Sequence, residues 1–418
     1  MTTPTLELRP LRPALPAGQT AHLTLLIRVH PAPVPTHTAR RPPLNLALVI
    51  DRSGSMGGHP LHMARQAAGA AVRQMGPNDR VSVVAFDDEV KVVVPSRAVT
   101  DPDGIIRAID TIEAGGMTNL QGGWLEGATQ VAAHLDPQAL NRVVLLSDGQ
   151  VNAGVVDRTE IARHVQGLTQ RGVSTSSIGL GQDYDEELLL AIANAGDGNF
   201  EHVEDPGRLP TLFEEELQGL TRTTGRIVSL GLEPNPEFGV QVASVLNDFA
   251  RNSFGRLHLP NLVDGQPVDI VVNLKVPGLT QRPGDTVGVT RVRLAWTARD
   301  GQRHRLRAQL NLPVLTGEAV LALPEDPAVL EAKALLDTAR LKREAVQAMD
   351  QGQHDQARAH FNSARLVAMA APMSAPMLAQ ELEDMTLLED ALNAGNAALS
   401  RKRALSQSHD RSRSKRRE

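Results

Sequence analysis

Asp51, Ser53 and Ser55 bring one carboxylate and two hydroxyls together within five residues. They are hard oxygen donors, the type that suits Mg²⁺ or Mn²⁺ ahead of Ca²⁺. The seven residues before them, 44–50, are almost all apolar, which fits a strand buried on both faces of a parallel sheet. Pro42 and Pro43 mark its start, and Gly54, Gly57 and Gly58 mark its end. Such a strand sets the three side chains at its carboxyl end, where open α/β sheets hold their ligands. The same residues equally suit a plain strand-to-helix loop, because Ser and Asp also cap helices. Taken alone, the segment admits both readings.

Two more oxygen donors join the set further along. Thr118 lies in a Gly-rich loop, GGMTNL, just before a helical stretch, so its hydroxyl can face the crevice above the sheet. Asp148 ends another apolar run in LLSDG, which places its carboxylate on the same rim as Asp51. The candidate metal set is therefore Asp51, Ser53, Ser55, Thr118 and Asp148, drawn from three loops.

The elements that must position these residues follow from periodicity. Between residues 44 and 222 strand-like and helix-like stretches alternate about six times, which implies a mostly parallel, doubly wound sheet covered on both faces. Asp87 and Asp88 separate two strand-like runs, 80–86 and 89–94, and predict a tight hairpin with one antiparallel edge strand.

With three segments in this order, the chain resembles a von Willebrand factor type A domain. DRSGSM, GMTNL and LLSDG match that family's metal-ion-dependent adhesion site, and the resemblance spans about residues 44–222. It implies that Ser53, Ser55 and Thr118 coordinate the metal directly, while Asp51 and Asp148 act largely through water. It also implies a function: the ion keeps a position open for an Asp or Glu of a partner protein, with no bond made or broken. Cytoplasmic members of the family often work beside ATPases of the AAA+ class, and such a partner is expected here by analogy.

The remaining chain reads as accessory domains. Residues 1–43 hold two strand-like pieces, 6–11 and 21–30, and a Pro-rich linker. Residues 223–324 hold only strand-like runs separated by Gly, Pro, Asn and Asp turns, which predicts an antiparallel β-sandwich. The orphan N-terminal strands are expected to complete it, making the α/β domain an insertion. Residues 325–399 predict a small helical region, in which residues 344–366 resemble one tetratricopeptide-like helix–turn–helix; a solenoid needs about three or more repeats, so a docked hairpin is expected. Residues 400–418 are basic and polar without apolar periodicity, and are expected to be disordered. The whole layout is similar to inter-alpha-trypsin inhibitor heavy chains and to bacterial relatives of calcium-activated chloride channel regulators.

Composition narrows the function classes. The 418 residues contain no Cys, which excludes a disulfide framework, a thiolate nucleophile and Cys-ligated zinc. A net charge of −5 speaks against a general nucleic-acid binder, although the basic tail could touch nucleic acid or acidic lipid. No stretch of about 18 apolar residues is available to span a bilayer, and the first residues lack the apolar core of a signal peptide. A cytoplasmic protein is expected. The alternative, a Mg²⁺-dependent hydrolase or phosphotransferase, meets no GxxxxGK[ST] loop and no GxSxG elbow. A passive scaffold with a nucleic-acid-binding tail is the third reading.

Several residues carry two readings each. Asp183, Asp185, Glu186 and Glu187 could form a second cation site or simply favour a helix start. His59 and His62 could modulate the metal loop or stand exposed beside it. Trp124 could belong to the binding face or pack on the sheet.

Overall fold

The computed structural model describes residues 3–34, 42–252 and 254–413. Most of the Pro-rich linker falls outside them. The chain divides into two compact units: Thr36–Thr223 with Arg299–Gly301, and Met1–Pro35 with Thr224–Ala298 and Gln302–Glu418.

The first unit is built on a six-stranded sheet. Its strands run across the sheet in the order Val90–Ala98, Arg80–Phe86, Leu44–Asp51, Leu140–Ser147, Val173–Leu180 and Asp197–Val203. All neighbours are parallel except the Val90–Ala98 edge, which returns antiparallel through the Asp87–Asp88 turn as the hairpin reading expects. Leu44–Asp51 is buried along its whole length. Its alternation serves two cores: Leu44, Leu46, Leu48 and Ile50 face one, Ala47 and Val49 the other. Helices His59–Gln74, Pro102–Asp110 and Leu209–Thr221 cover the first face; Leu120–Ala132, Arg158–Thr169 and Glu186–Ala195 cover the second. The chain leaves Leu44–Asp51 toward Arg80–Phe86 on one side, and later strands build out on the other side from Leu140–Ser147. The switch point of the sheet therefore lies at the ends of Leu44–Asp51 and Leu140–Ser147, directly beneath Asp51 and Asp148.

The second unit holds two sheets packed over one apolar core. Ala21–His30 lies between Thr5–Pro10 and Val268–Val276 in a four-stranded sheet closed by Gln241–Val245. The facing sheet contains Thr223–Pro234, Thr286–Ala298 and Arg303–Leu315, with the short strands Leu257–Leu259, Leu262–Val263 and Leu15–Pro16 at its margins. Leu25, Ile27, Ile270, Leu294 and Trp296 meet between them. The N-terminal strands thus complete the β-sandwich, and the α/β unit is an insertion in it.

Four long helices follow. Pro327–Asp350 lays Val329, Ala332 and Leu336 over Leu26 and Val271 on the outer face of the four-stranded sheet. It packs against His354–Ala370, across a turn at Gly352, and against Ala397–Ser412; Ala375–Asn393 closes the set. The expected hairpin is therefore half of a four-helix arrangement. Ala397–Ser412 also corrects the expectation of a disordered tail over 400–418: up to Arg413 the segment is helical and largely buried, and the last five residues lie outside those described. Apolar periodicity could not show this, because polar contacts hold the helix. Ser400 Oγ donates to Leu388 O at 2.9 Å, Arg401 Nε to Asp350 Oδ1 at 2.6 Å, and Arg411 Nε to Glu381 Oε1 at 2.6 Å. Among the described residues no helix is long and apolar enough to cross a membrane.

Candidate metal centre

Asp51 is fully buried at the end of its strand, and both carboxylate oxygens are engaged. Oδ1 accepts from Ser53 N at 2.8 Å, and Oδ2 from Ser147 Oγ at 2.5 Å. The first bond folds the Asp51–Ser55 turn; the second ties it to the neighbouring strand. Ser53 Oγ and Ser55 Oγ share a hydrogen bond of 3.3 Å, and Ser55 Oγ donates to Asp148 Oδ1 at 2.8 Å. Thr118, almost wholly buried, exchanges bonds with Asn152: its amide donates to Oδ1 at 2.8 Å and its carbonyl accepts from Asn152 N at 3.3 Å. Gly149 shows how closely the three loops converge. A Cβ there would stand 3.1 Å from Thr118 Oγ1, 3.6 Å from Ser55 Oγ and 3.8 Å from Ser53 Oγ. All five candidate residues therefore meet on one rim.

The electrostatics of that rim are one-sided. Burial pushes the Asp51 carboxyl above its ordinary range, against the hydrogen bonds from Ser147 and Ser53 that lower it. Asp148 is pushed up to about 6, chiefly by burial and with help from the Asp51 charge, against the bond from Ser55. Among the described residues neither carboxylate is in an ion pair: Asp51 and Asp148 accept from Ser53, Ser147 and Ser55, and the nearby Arg52 is paired with Asp87. Two carboxylates outside any ion pair among the described residues, together with three neutral hydroxyls, make a donor set that fits a hard divalent cation.

The residues with two readings divide clearly. Asp185 caps its helix by accepting from Leu188 N at 3.0 Å, Glu186 and Glu187 stand in the first turn, and Arg158 pairs with Asp185 and Glu187. Among the described residues no group of three or more His, Asp or Glu could hold a metal ion, so the second cation site is withdrawn in favour of the helix start. His59 and His62 are exposed. Trp124 is fully buried under the rim, its Nε1 donating to Thr175 Oγ1 at 3.1 Å, so packing is its role. Sequence reading missed Ser147 and Asn152. Ser147 was in plain view in LLSDG, one residue before Asp148; Asn152 had no signal, since its partner Thr118 is 34 residues away.

The family model for the von Willebrand factor type A domain matches residues 45–215. Uncharacterized protein sll0103 of Synechocystis sp. is 29% identical over 286 residues, covering 66% of this chain and 67% of that protein. Inter-alpha-trypsin inhibitor heavy chain H1 of Bos taurus is 28% identical over 189 residues, covering 42% of this chain but only 20% of the heavy chain. Among solved structures, von Willebrand factor type A from Catenulispora acidiphila aligns over 100% of this chain and 98% of its own, with a TM-score of 0.73 at 18% identity, a likeness of fold. Residues 45–215 are accordingly a von Willebrand factor type A domain, set in a chain related to bacterial proteins of this kind and to the inter-alpha-trypsin inhibitor heavy chains.

Proposed function

We propose that the chain is a non-enzymatic protein-interaction module that grips a partner through a divalent ion on this rim. Ser53, Ser55 and Thr118 would hold Mg²⁺ or Mn²⁺ directly, with Asp51 and Asp148 behind them. The observation that carries the reading is the meeting of three hydroxyls and two carboxylates at the switch point of the sheet. Neutral hydroxyl ligands leave a bound ion electrophilic, and an Asp or Glu of a partner then gains a strong charge-assisted contact.

The same rim supports catalysis poorly. Phosphatases that use the first Asp as nucleophile need a second acid two residues later, and Ser53 occupies that place. Asp51 is tied up by Ser53 and Ser147, so its oxygens serve the loop. The nucleic-acid reading of the tail loses its basis up to Arg413, because those residues are packed into the helical region.

Capture of partners from the native cell extract, with Mg²⁺ and with EDTA, tests the proposal. Partners should be retained in Mg²⁺, released by EDTA and absent on the Thr118→Ala variant. A partner set indifferent to both treatments would contradict it.

A further inference from the structure

The loop that carries Thr118 is held amide by amide. Gly115 N donates to Arg52 O at 2.7 Å, and Asn119 N to Asp87 O at 2.8 Å. Between them, Gly116 N donates to Asp87 Oδ2 at 3.0 Å, Met117 N to Asp88 Oδ1 at 3.2 Å, and Thr118 N to Asn152 Oδ1 at 2.8 Å. Five consecutive amides are engaged, although Gly115, Gly116 and Met117 are exposed to solvent. A loop containing Gly-Gly has unusual backbone freedom, so fixing it needs specific partners.

Asp87 is the hub. Its buried carboxylate also accepts from Arg52 Nη2 at 2.9 Å and from Glu89 N at 2.8 Å. It therefore joins the turn of the edge hairpin, the metal loop and the Thr118 loop. Gly54 N closes the circuit by donating to Gly116 O at 3.0 Å. The paired glycines are what allow this approach: a Cβ on Gly115 would overlap the Asp87 carboxylate, and one on Gly116 the Asp88 carboxylate.

We propose that Asp87 and Asp88 are positioning residues that set the Thr118 hydroxyl in place before an ion arrives. They act through the loop, not as ligands. The inference rests on the metal reading of the rim and adds to it: the site is preorganised from the edge of the sheet.

The test uses the full chain with Asp87→Ala, Asp88→Ala and the matching Asn variants, which remove the charge but keep an acceptor oxygen. Hydrogen exchange in EDTA reads the amides of residues 115–119, and calorimetry reads Mg²⁺ and Mn²⁺ affinity. In wild type these amides should be protected without metal. Asp87→Ala should speed their exchange and weaken metal binding by about tenfold or more, the usual range for residues that orient metal ligands. Asp88→Ala should act in the same direction and less, and Asp88→Asn, whose amide oxygen can still accept from Met117 N, should recover most of that loss. Asp87→Asn, which keeps one of the two acceptor oxygens in use, should fall between Asp87→Ala and wild type. A purely structural role would lower the melting temperature in EDTA yet leave the affinity of the folded protein unchanged. Asp88 is exposed, so its variant keeps the test open should Asp87→Ala fail to fold. A wild-type chain that binds neither metal defeats the reading of the rim and this inference with it. Metal binding in wild type with both Ala variants equal to it, or unprotected loop amides in wild type, overturns this inference alone.

Discussion

Two polar clusters in this protein, one deeply buried and one at a half-open rim, have different charge arithmetic. In the helical region Glu381 is fully buried between Lys342 Nζ at 3.2 Å and Arg411 Nε at 2.6 Å. Burial there pushes the carboxyl up, but the two cations outweigh it and hold Glu381 below its ordinary range. On the rim of the α/β unit, Asp51 and Asp148 have hydroxyl and amide partners only, and both are shifted upward. The first cluster supplies its own counter-charge and so reads as architecture. The second lacks one and so reads as a place for something to bind. The Arg142–Glu216 pair, 2.5 Å apart between the strand Leu140–Ser147 and the helix Leu209–Thr221, sides with the first: burial opposes it, yet Arg142, Ser176 and Asn199 hold Glu216 low.

The comparison predicts unequal responses to mutation. Glu381→Ala takes from Arg411 and Lys342 their buried carboxylate, leaving Lys342 only the longer contact with Asp384 at 3.9 Å, and should cost about 3–5 kcal/mol in denaturant unfolding, whereas replacing all three charged partners with apolar residues should cost far less. Asp51→Asn should leave stability in EDTA unchanged or higher, because burial of the charge outweighs the hydrogen bonds from Ser53 and Ser147 that favour it. Its effect should show only with metal: wild type gains about 2.7 kcal/mol at an ion concentration a hundredfold above Kd, and the variant gains none. If both variants lose stability alike in EDTA, the distinction between the clusters fails.

Acid should separate them as well. Glu381 and Glu216 are both held below the ordinary glutamate value of 4.5 in the folded state. Their contribution is therefore fully present above about pH 4.5 and lost as the pH falls from there through the lowered folded values. Unfolding followed from pH 6 to pH 3 should show this loss, and Glu381→Gln should flatten it in the helical region. The smallest effect belongs to His59→Ala and His62→Ala, which should stay within about 0.5 kcal/mol of wild type in both stability and metal binding, as exposed substitutions do.

Legibility in the sequence followed the range of the interactions. Val173–Leu180 and Ala21–His30 are readable because apolar residues in a run or an alternation dictate a strand locally. Asp51, Ser53 and Ser55 are readable because a strand end and a turn place them together. Thr118 and Asp148 needed the further rule that parallel strands end on one rim. Asp101, Asp157 and Asp185 each fall one residue outside the helix they start, since a cap marks a boundary more sharply than periodicity does. Leu15–Pro16 was missed because two residues carry no period. The helix Ala397–Ser412 was missed because its partners, Asp350, Glu381 and Leu388, lie well away in sequence and bind it through polar groups. Asp87 and Asp88 looked like ordinary turn residues for the same reason: the amides they hold are 29 residues away.

Neither rim carboxylate is in an ion pair among the described residues, and the proposal is that a divalent ion supplies the opposing charge. Calorimetric titration of the metal-free chain with Mg²⁺ and Mn²⁺, repeated on Thr118→Ala, addresses it most directly. Saturable binding in wild type, lost in Thr118→Ala while the melting temperature in EDTA stays the same, is the result predicted. No binding of either metal by wild type, or equal binding by the variant, would contradict it.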